Sequence, residues 1–199
     1  MSLSVALRSP SVDRRSGRFA LKPLYIAYLN RLDIDELKFT DEEILQAIEA
    51  GLASQGRGQT MIEPRVHLEP GVANGHFNVL RGAIKDPVDF AGVKVVGDFV
   101  DNYKEGLPSE LAVLLLFDPR NGVPKAVLDA SGITDMRTGA VTAIGAKYLA
   151  RKNSRVLGHI GARGTSYWNV RLLHHLFETL TRSVSTPDGK KVVTHSPSG

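Results

Sequence analysis

The sequence contains no cysteine among its 199 residues. A disulfide framework, a zinc–thiolate site and thiol catalysis are therefore excluded. It also lacks any apolar run near the roughly 20 residues that cross a bilayer, since the run Leu111–Phe117 is far too short. We expect no membrane segment and predict a cytoplasmic protein. The six histidines show no metal-ligand spacing, and no Ser/His/Asp order suggests a hydrolase.

The globular part of the chain also lacks an excess of charge. The net charge is +4, but the basic excess lies in residues 1–22 and 178–199, and the residues between them are close to neutral. There is no basic stripe with interleaved aromatic residues, so nucleic acid is not an expected partner. Residues 1–22 are rich in Ser and Arg without periodicity, which predicts a disordered leader. A targeting segment and a start codon placed too early remain alternatives for this leader.

What is present predicts an α/β protein with a largely antiparallel, mixed sheet. Thr40 and Glu43 form a capping box that starts one early helix, which is stopped at Gly56. Strands are predicted at the following segments: 25–29, 59–68, 75–80, 93–100, 111–117 and 125–128. A helix is then predicted over 134–150, a short strand over 155–160 and a helix over 167–177.

The order of strand, glycine turn and helix at 155–177 is that of the first unit of a nucleotide-binding domain. Glycines in the turn Gly158–Gly164 would let the backbone approach a pyrophosphate at the helix N-terminus. The spacing is irregular, so a purely structural strand–helix turn is the alternative. Residues 178–199 add no recognisable second half to this domain.

Three cations are candidates for binding an anion. Arg137 is predicted in the first turn of a helix, where a guanidinium beside free amides would receive a carboxylate. Arg65 and Lys94 each interrupt an apolar strand segment. Either side chain could point to solvent, and Arg137 could be an ordinary surface arginine. The other possibility is that Arg65 and Lys94 face a cleft and bind an anionic substrate.

The sequence resembles the ornithine cyclodeaminase/mu-crystallin family over roughly residues 24–177. The most specific part is Asp-Ala-Ser-Gly-Ile-Thr-Asp-Met-Arg-Thr-Gly-Ala at 129–140, followed by the segments at 146–150 and 158–164. Gly-Val-Lys-Val-Val at 92–96 and Gly-Leu-Pro-Ser at 106–109 also fit. The resemblance implies a substrate and dimerisation domain at 23–133, and a connecting helix with the start of a Rossmann domain at 134–177.

The resemblance further implies an NAD- or NADP-dependent enzyme, a homodimer, that acts on a small amino acid or cyclic imine. In such a cyclodeaminase, bound NAD⁺ takes hydride from the amino-acid Cα and later returns it after cyclisation and loss of ammonia. The residues that the resemblance assigns fall into two groups. Substrate binding falls on Arg65, Lys94 and Arg137, and cofactor binding falls on Ser109, Arg137, Gly161, Gly164 and Thr165. The resemblance implies no metal.

Two departures from the family pattern affect these expectations. The usual G-x-G-x-Q-A turn reads Gly-Ala-Arg-Gly-Thr-Ser at 161–166, and the carboxylate of ornithine-specific members has no match at 78–81. Family members also run to well over 300 residues, so the chain resembles a C-terminally truncated member. We therefore expect the 199-residue chain to be inactive and its binding of NAD or NADP to be lost or weak. A non-enzymatic dimerising or small-molecule-binding fragment is the alternative.

The segment after Phe177 suggests a shifted reading frame. With a suitable choice of codons, a shifted frame would read Ala-Ile-Arg-Val-His-Ser-Arg-Arg, which resembles a second Rossmann strand and a phosphate-reading loop that leans towards NADP. We hypothesise a frameshift at about Phe177 or Glu178. The alternative is a genuine short tail over 178–199.

Overall fold

The computed structural model describes residues 23–161, 164–186 and 193–195. The predicted leader at 1–22 lies outside the described residues. In chain order, the elements are β1 (Ala27–Leu29), α1 (Arg31–Glu36), α2 (Asp41–Gly56), β2 (Thr60–Ile62), β3 (Val66–Leu68), β4 (Gly75–Ile84), β5 (Phe90–Phe99), a 3₁₀ turn (Asn102–Glu105), β6 (Glu110–Phe117), β7 (Pro124–Asp129), α3 (Ser131–Leu149), β8 (Val156–Ile160), α4 (Gly164–Leu176), β9 (Arg182–Thr186) and β10 (Val193–His195).

The larger sheet confirms the predicted mixed α/β fold. Its strand order is β1-β7-β6-β5-β4-β2, with β3 also paired to β4. Strand β1 runs parallel to β7, and the other pairs are antiparallel. The long β4–β5–β6 ladder has a regular register, such as Leu80 opposite Lys94 and Lys94 opposite Leu114. Because side chains alternate along a strand, these three residues share one face of the sheet.

The segment 59–68 forms two strands instead of the single predicted strand. Strand β2 pairs with β4 from Thr60 to Ile62, and β3 resumes the pairing at Val66 opposite Val79. Pro64 lies in the break and has no amide hydrogen to donate to a ladder. Arg65 therefore lies between strands, and the expectation that it occupies a strand interior is wrong.

Helix α3 connects the two sheets and packs against both α2 and α4. The main core lies between these three helices and contains Ile44, Leu45, Ala140, Ala143, Ile144, Leu172, Leu173, Phe177 and Leu180. Gly139 allows α3 to approach α4 closely, since a Cβ there would lie 2.6 Å from the Trp168 carbonyl carbon. A smaller core of Val96, Ala112 and Ala130 lies between the large sheet and the start of α3.

The small sheet continues beyond the unit predicted from the sequence. Strand β9 runs parallel to β8, with Val156 opposite Arg182 and Ile160 opposite Thr186. Helix α4 connects them, so β8, α4 and β9 form a parallel β-α-β unit. The sequence reading did not predict a strand after Phe177, because Arg182–Thr186 is mostly polar. The frameshift near Phe177 stays a hypothesis.

Among the described residues, no helix combines the length and apolar character that crossing a bilayer needs.

Candidate cofactor and carboxylate site

The turn between β8 and α4 has the backbone geometry that the glycine motif predicts. Gly161 has a φ of 96°, a conformation that residues with a Cβ rarely adopt. Its carbonyl oxygen lies 3.1 Å from His159 Nδ1, and Asn169 Nδ2 lies 3.1 Å from His159 Nε2. His159 therefore ties the turn to α4. Ala162 and Arg163 lie outside the described residues.

Four of the five residues assigned to the cofactor line one open cavity of ≈ 960 Å³. Gly161, Gly164 and Thr165 line it from the turn, and Ser109 lines it from the loop before β6. This loop is held in place because Phe99 N donates to the Ser109 carbonyl oxygen at 2.8 Å. The structure thus brings together two segments that lie more than fifty residues apart in the chain.

Lys94 points from β5 towards α3. Its Nζ donates a hydrogen bond to Thr134 Oγ1 at 3.1 Å, and Thr134 in turn donates to the Ala130 carbonyl oxygen at 2.8 Å. Burial lowers the pKa of the Lys94 amine, and the positive charge of Arg137 lowers this pKa further, while Glu110 opposes the shift. Lys94 is therefore a half-buried cation beside a second cation.

Arg137 lies one turn further into its helix than the sequence suggested. Helix α3 begins at Ser131, where the Ser131 amide donates to Asp129 Oδ1 at 2.8 Å. The expectation that Arg137 stands in the first turn beside free amides is therefore wrong. The side chain is exposed, and its charge acts on Lys94. Two adjacent cations at a sheet–helix junction can bind a carboxylate between them.

Arg65 lies outside the two short strands that flank it. It is exposed in the break between β2 and β3, and its charge acts on His67. His67 contacts Asn78 Oδ1 at 3.0 Å and Glu69 Oε1 at 3.2 Å, and these contacts raise the pKa of its imidazole. The structure therefore brings Lys94 and Arg137 together and leaves Arg65 in an exposed loop of the same sheet.

Sequence reasoning gave no role to two residues at the start of α3 that the structure places in the site. Thr134 accepts the hydrogen bond of Lys94, and Asp135 Oδ1 accepts a hydrogen bond from Thr165 Oγ1 at 2.8 Å. Both stand in the Thr-Asp-Met-Arg motif, which was the available signal. Their partners are 40 and 30 residues away in sequence, so spacing could not reveal them. Within the described ranges, no cluster of His, Asp and Glu could hold a metal ion.

Comparison with known proteins agrees with this geometry. Residues 27–186 match the ornithine cyclodeaminase/mu-crystallin family. The chain belongs to this family. The match includes both sheets as far as the end of β9, and it therefore extends past Phe177.

One relative by sequence and two solved structures illustrate the similarity. Alanine dehydrogenase from Archaeoglobus fulgidus is 36% identical over 137 residues, which are 69% of this chain and 41% of that protein. An archaeal alanine dehydrogenase dimer with bound NAD superposes with a TM-score of 0.73 at 31% identity, covering 80% of this chain and 48% of the other. The structure of the Δ¹-pyrroline-2-carboxylate reductase of Thermococcus litoralis, in complex with NADH and L-proline, superposes with a TM-score of 0.76 at 30% identity. The superposition covers 82% of this chain and 51% of the reductase.

The chain thus spans about half the length of the family members that it matches. Its relatives include an alanine dehydrogenase, an iminosuccinate reductase, a ketimine reductase and a lysine cyclodeaminase. Solved structures of relatives contain NAD, NADH or NAD⁺.

Lys94→Met is expected to stabilise the fold, because it removes a half-buried charge beside Arg137. Because Lys94 is only half-buried, we expect a gain of only about 0.5 kcal/mol. Because the pKa of the Lys94 amine is lowered in the folded state, the folded protein releases this proton at a lower pH than the unfolded chain does. Wild-type stability should therefore rise between that pKa and lysine's usual 10.5, and the advantage of the variant should shrink with pH.

Thermal unfolding of both proteins at pH 7 and near pH 10 checks this expectation. Lys85→Met, at an exposed lysine, is the control and should leave stability unchanged at both pH values. A Lys94→Met protein that melts below wild type at pH 7 would contradict the electrostatic account.

Proposed function

We propose that the chain forms the substrate domain and first dinucleotide-binding unit of an NAD- or NADP-dependent enzyme acting on an amino acid or a cyclic imine. The observation that carries the proposal is the cavity shared by Gly161, Gly164, Thr165 and Ser109. The coupled cations Lys94 and Arg137 lie on the adjoining strand and helix. The family's dinucleotide-dependent enzymes support the same reading.

The residues of the turn fit a dinucleotide. The positive φ of Gly161 bends the chain sharply at the end of β8, and α4 then begins at Gly164. Amides at a helix N-terminus can donate to phosphate oxygens, and a glycine lets the phosphate come close. When bound, the nicotinamide group accepts or donates a hydride. Ser109, across the cavity, supplies a hydroxyl to the same ligand.

The cations would hold the substrate by its carboxylate. Lys94 is fixed by Thr134, and Arg137 supplies a planar guanidinium that can form two parallel hydrogen bonds. Arg65 is the third cation of this proposed set and would approach from its exposed loop. Because the pKa of Lys94 is lowered, its Nζ can also exchange a proton with substrate closer to neutral pH than an ordinary lysine.

Calorimetric titration with NADH and NADPH tests the proposal. The wild-type chain should bind at least one of them, and Gly161→Ala should weaken binding at least about tenfold, since alanine strains the φ of 96°. Gly158→Ala is the matched control, because a Cβ there meets nothing within 4 Å. No binding to wild type, or equal binding by the Gly161 variant, would overturn the proposal.

We also infer that two copies associate through the face of the large sheet that points away from α3. This face carries apolar side chains from β4, β5 and β6 around a cavity of ≈ 650 Å³, including Phe77, Val95, Phe99 and Val113. Val113 is 46% exposed in the isolated chain, at the centre of that face. A contiguous apolar face of this kind is typical of an interface.

Val113→Glu is expected to convert the dimer to a monomer in sedimentation experiments, because it places a charge in the apolar face. Val72→Glu, at a residue 88% exposed in the loop before β4, should remain dimeric. A wild-type monomer, or a dimeric Val113→Glu protein, would contradict the inference.

A dimer that binds no dinucleotide would favour the alternative function, a non-enzymatic dimerising fragment. Under both functions, the dinucleotide-dependent enzyme and the non-enzymatic fragment, we expect the 199-residue chain alone to give no turnover.

A further inference from the structure

A carboxylate lies against the N-terminus of the helix where the proposed diphosphate would bind. Thr165 Oγ1 donates to Asp135 Oδ1 at 2.8 Å. A Cβ on Gly164 would lie 2.9 Å from Asp135 Oδ2 and 3.0 Å from Oδ1. Asp135 belongs to α3, yet its carboxylate packs on the first two residues of α4 and lines the same cavity as Gly161.

The charge of this carboxylate acts on any anion that enters. The N-terminus of a helix favours one negative charge nearby, and here Asp135 already supplies it. Along the described part of the chain, no cation forms an ion pair with Asp135. A diphosphate held by the amides of Gly164 and Thr165 would therefore meet the negative charge of Asp135 in the same cavity.

We propose that Asp135 is a built-in competitor of the dinucleotide diphosphate at the N-terminus of α4, and that it sets the affinity of this chain for the cofactor. The proposal rests on the proposed function, since it needs a dinucleotide in the cavity. Asp135 holds the hydroxyl of Thr165 and the start of α4 in place when no cofactor is bound. Cofactor binding then requires the carboxylate to share the helix N-terminus or to turn away from it.

The contact geometry distinguishes this role from that of an ordinary surface acid. Gly164 is the residue that lets the carboxylate approach, because any side chain there would meet its oxygens. The carboxylate contacts the two residues to which the cofactor role is assigned, Gly164 and Thr165. It is thus a positioning residue for the turn and, at the same time, a source of repulsion towards the ligand of that turn.

Asp135→Asn tests the proposal, since the amide oxygen can still accept from Thr165 Oγ1 while the charge is removed. By NADH titration at low salt, we expect binding to tighten about fivefold. The ratio of the two dissociation constants should fall towards one at high salt, because salt screens the repulsion. A purely structural role would not give this salt dependence. Glu105→Gln removes a negative charge from the loop bordering the cavity and should change affinity less than about twofold.

The outcomes separate this proposal from the function on which it rests. If wild type binds NADH and Asp135→Asn binds equally or more weakly, the competitor role is wrong while the cofactor site stands. Weaker binding together with a lower melting temperature would assign Asp135 to stabilising α4, which also overturns the proposal. If neither protein binds NADH or NADPH, the proposed function is wrong, and the competitor role is wrong with it.

Discussion

Alanine at Gly139 is expected to destabilise the fold by about 3 kcal/mol or more, through overpacking against a backbone that cannot move away. A Cβ at this position would lie 2.6 Å from both the carbonyl carbon and the Cβ of Trp168, and 2.8 Å from its carbonyl oxygen. The contact is the crossing of α3 and α4, which positions the cofactor turn relative to Lys94 and Arg137. Relief of the clash would require the two helices to separate.

Gly145→Ala in the same helix is the matched control. A Cβ at Gly145 meets nothing within 4 Å, so alanine should stabilise the helix by about 0.5–1 kcal/mol. Thermal unfolding followed by circular dichroism should therefore show a fall of about 10 °C for the first variant and a small rise for the second. Equal melting temperatures for the two variants would show that α3 and α4 do not cross closely at Gly139.

Arg137→Met is expected to weaken binding of a carboxylate ligand about 10- to 100-fold, because a charged hydrogen bond contributes about 1.5–3 kcal/mol. L-Proline is a suitable probe, since the reductase from Thermococcus litoralis contains it with NADH. Calorimetric titration of L-proline, L-alanine and L-ornithine in the presence of NADH measures the loss. The pKa of Lys94 should also rise towards its usual value, because Arg137 no longer opposes its charge.

Arg151→Met is the control for the loss of a positive charge, as Arg151 is exposed just beyond the end of α3. It should bind the same ligands as tightly as wild type. Undiminished carboxylate binding by Arg137→Met would remove Arg137 from the substrate site.

Local patterns predicted the elements whose stability is local. The Thr40–Glu43 capping box marks the start of α2, with Thr40 N donating to Glu43 Oε2 at 2.8 Å. The sequence predicts no helix at α1 because its six residues show no periodicity, although Asn30 and Asp33 form a capping box. Helix α3 begins at Ser131, before the predicted start at 134, because its N-cap, Ala130, is not a capping residue and gives no signal in the sequence.

The arrangement of the site depends on contacts between distant segments, which a single sequence does not contain. Apolar spacing could not decide whether Lys94 faces solvent or α3, because this depends on where α3 crosses the sheet. The contact between Asp135 and Thr165 likewise depends on how α3 packs on α4. Resemblance to the family grouped Lys94 and Arg137 in advance, and the structure places them together. The structure leaves Arg65 in an exposed loop, so its role in substrate binding remains a prediction.

Energy transfer from the single tryptophan to bound NADH tests the central claim most directly. Trp168 lies in α4, close to the turn that begins this helix, and NADH absorbs where tryptophan emits. The account predicts that NADH quenches Trp168 emission in a saturable manner, that NADH emission rises in parallel, and that Gly161→Ala weakens both. Saturable NADH binding without transfer from Trp168, or transfer that is unchanged in Gly161→Ala, would place the cofactor elsewhere and contradict the account.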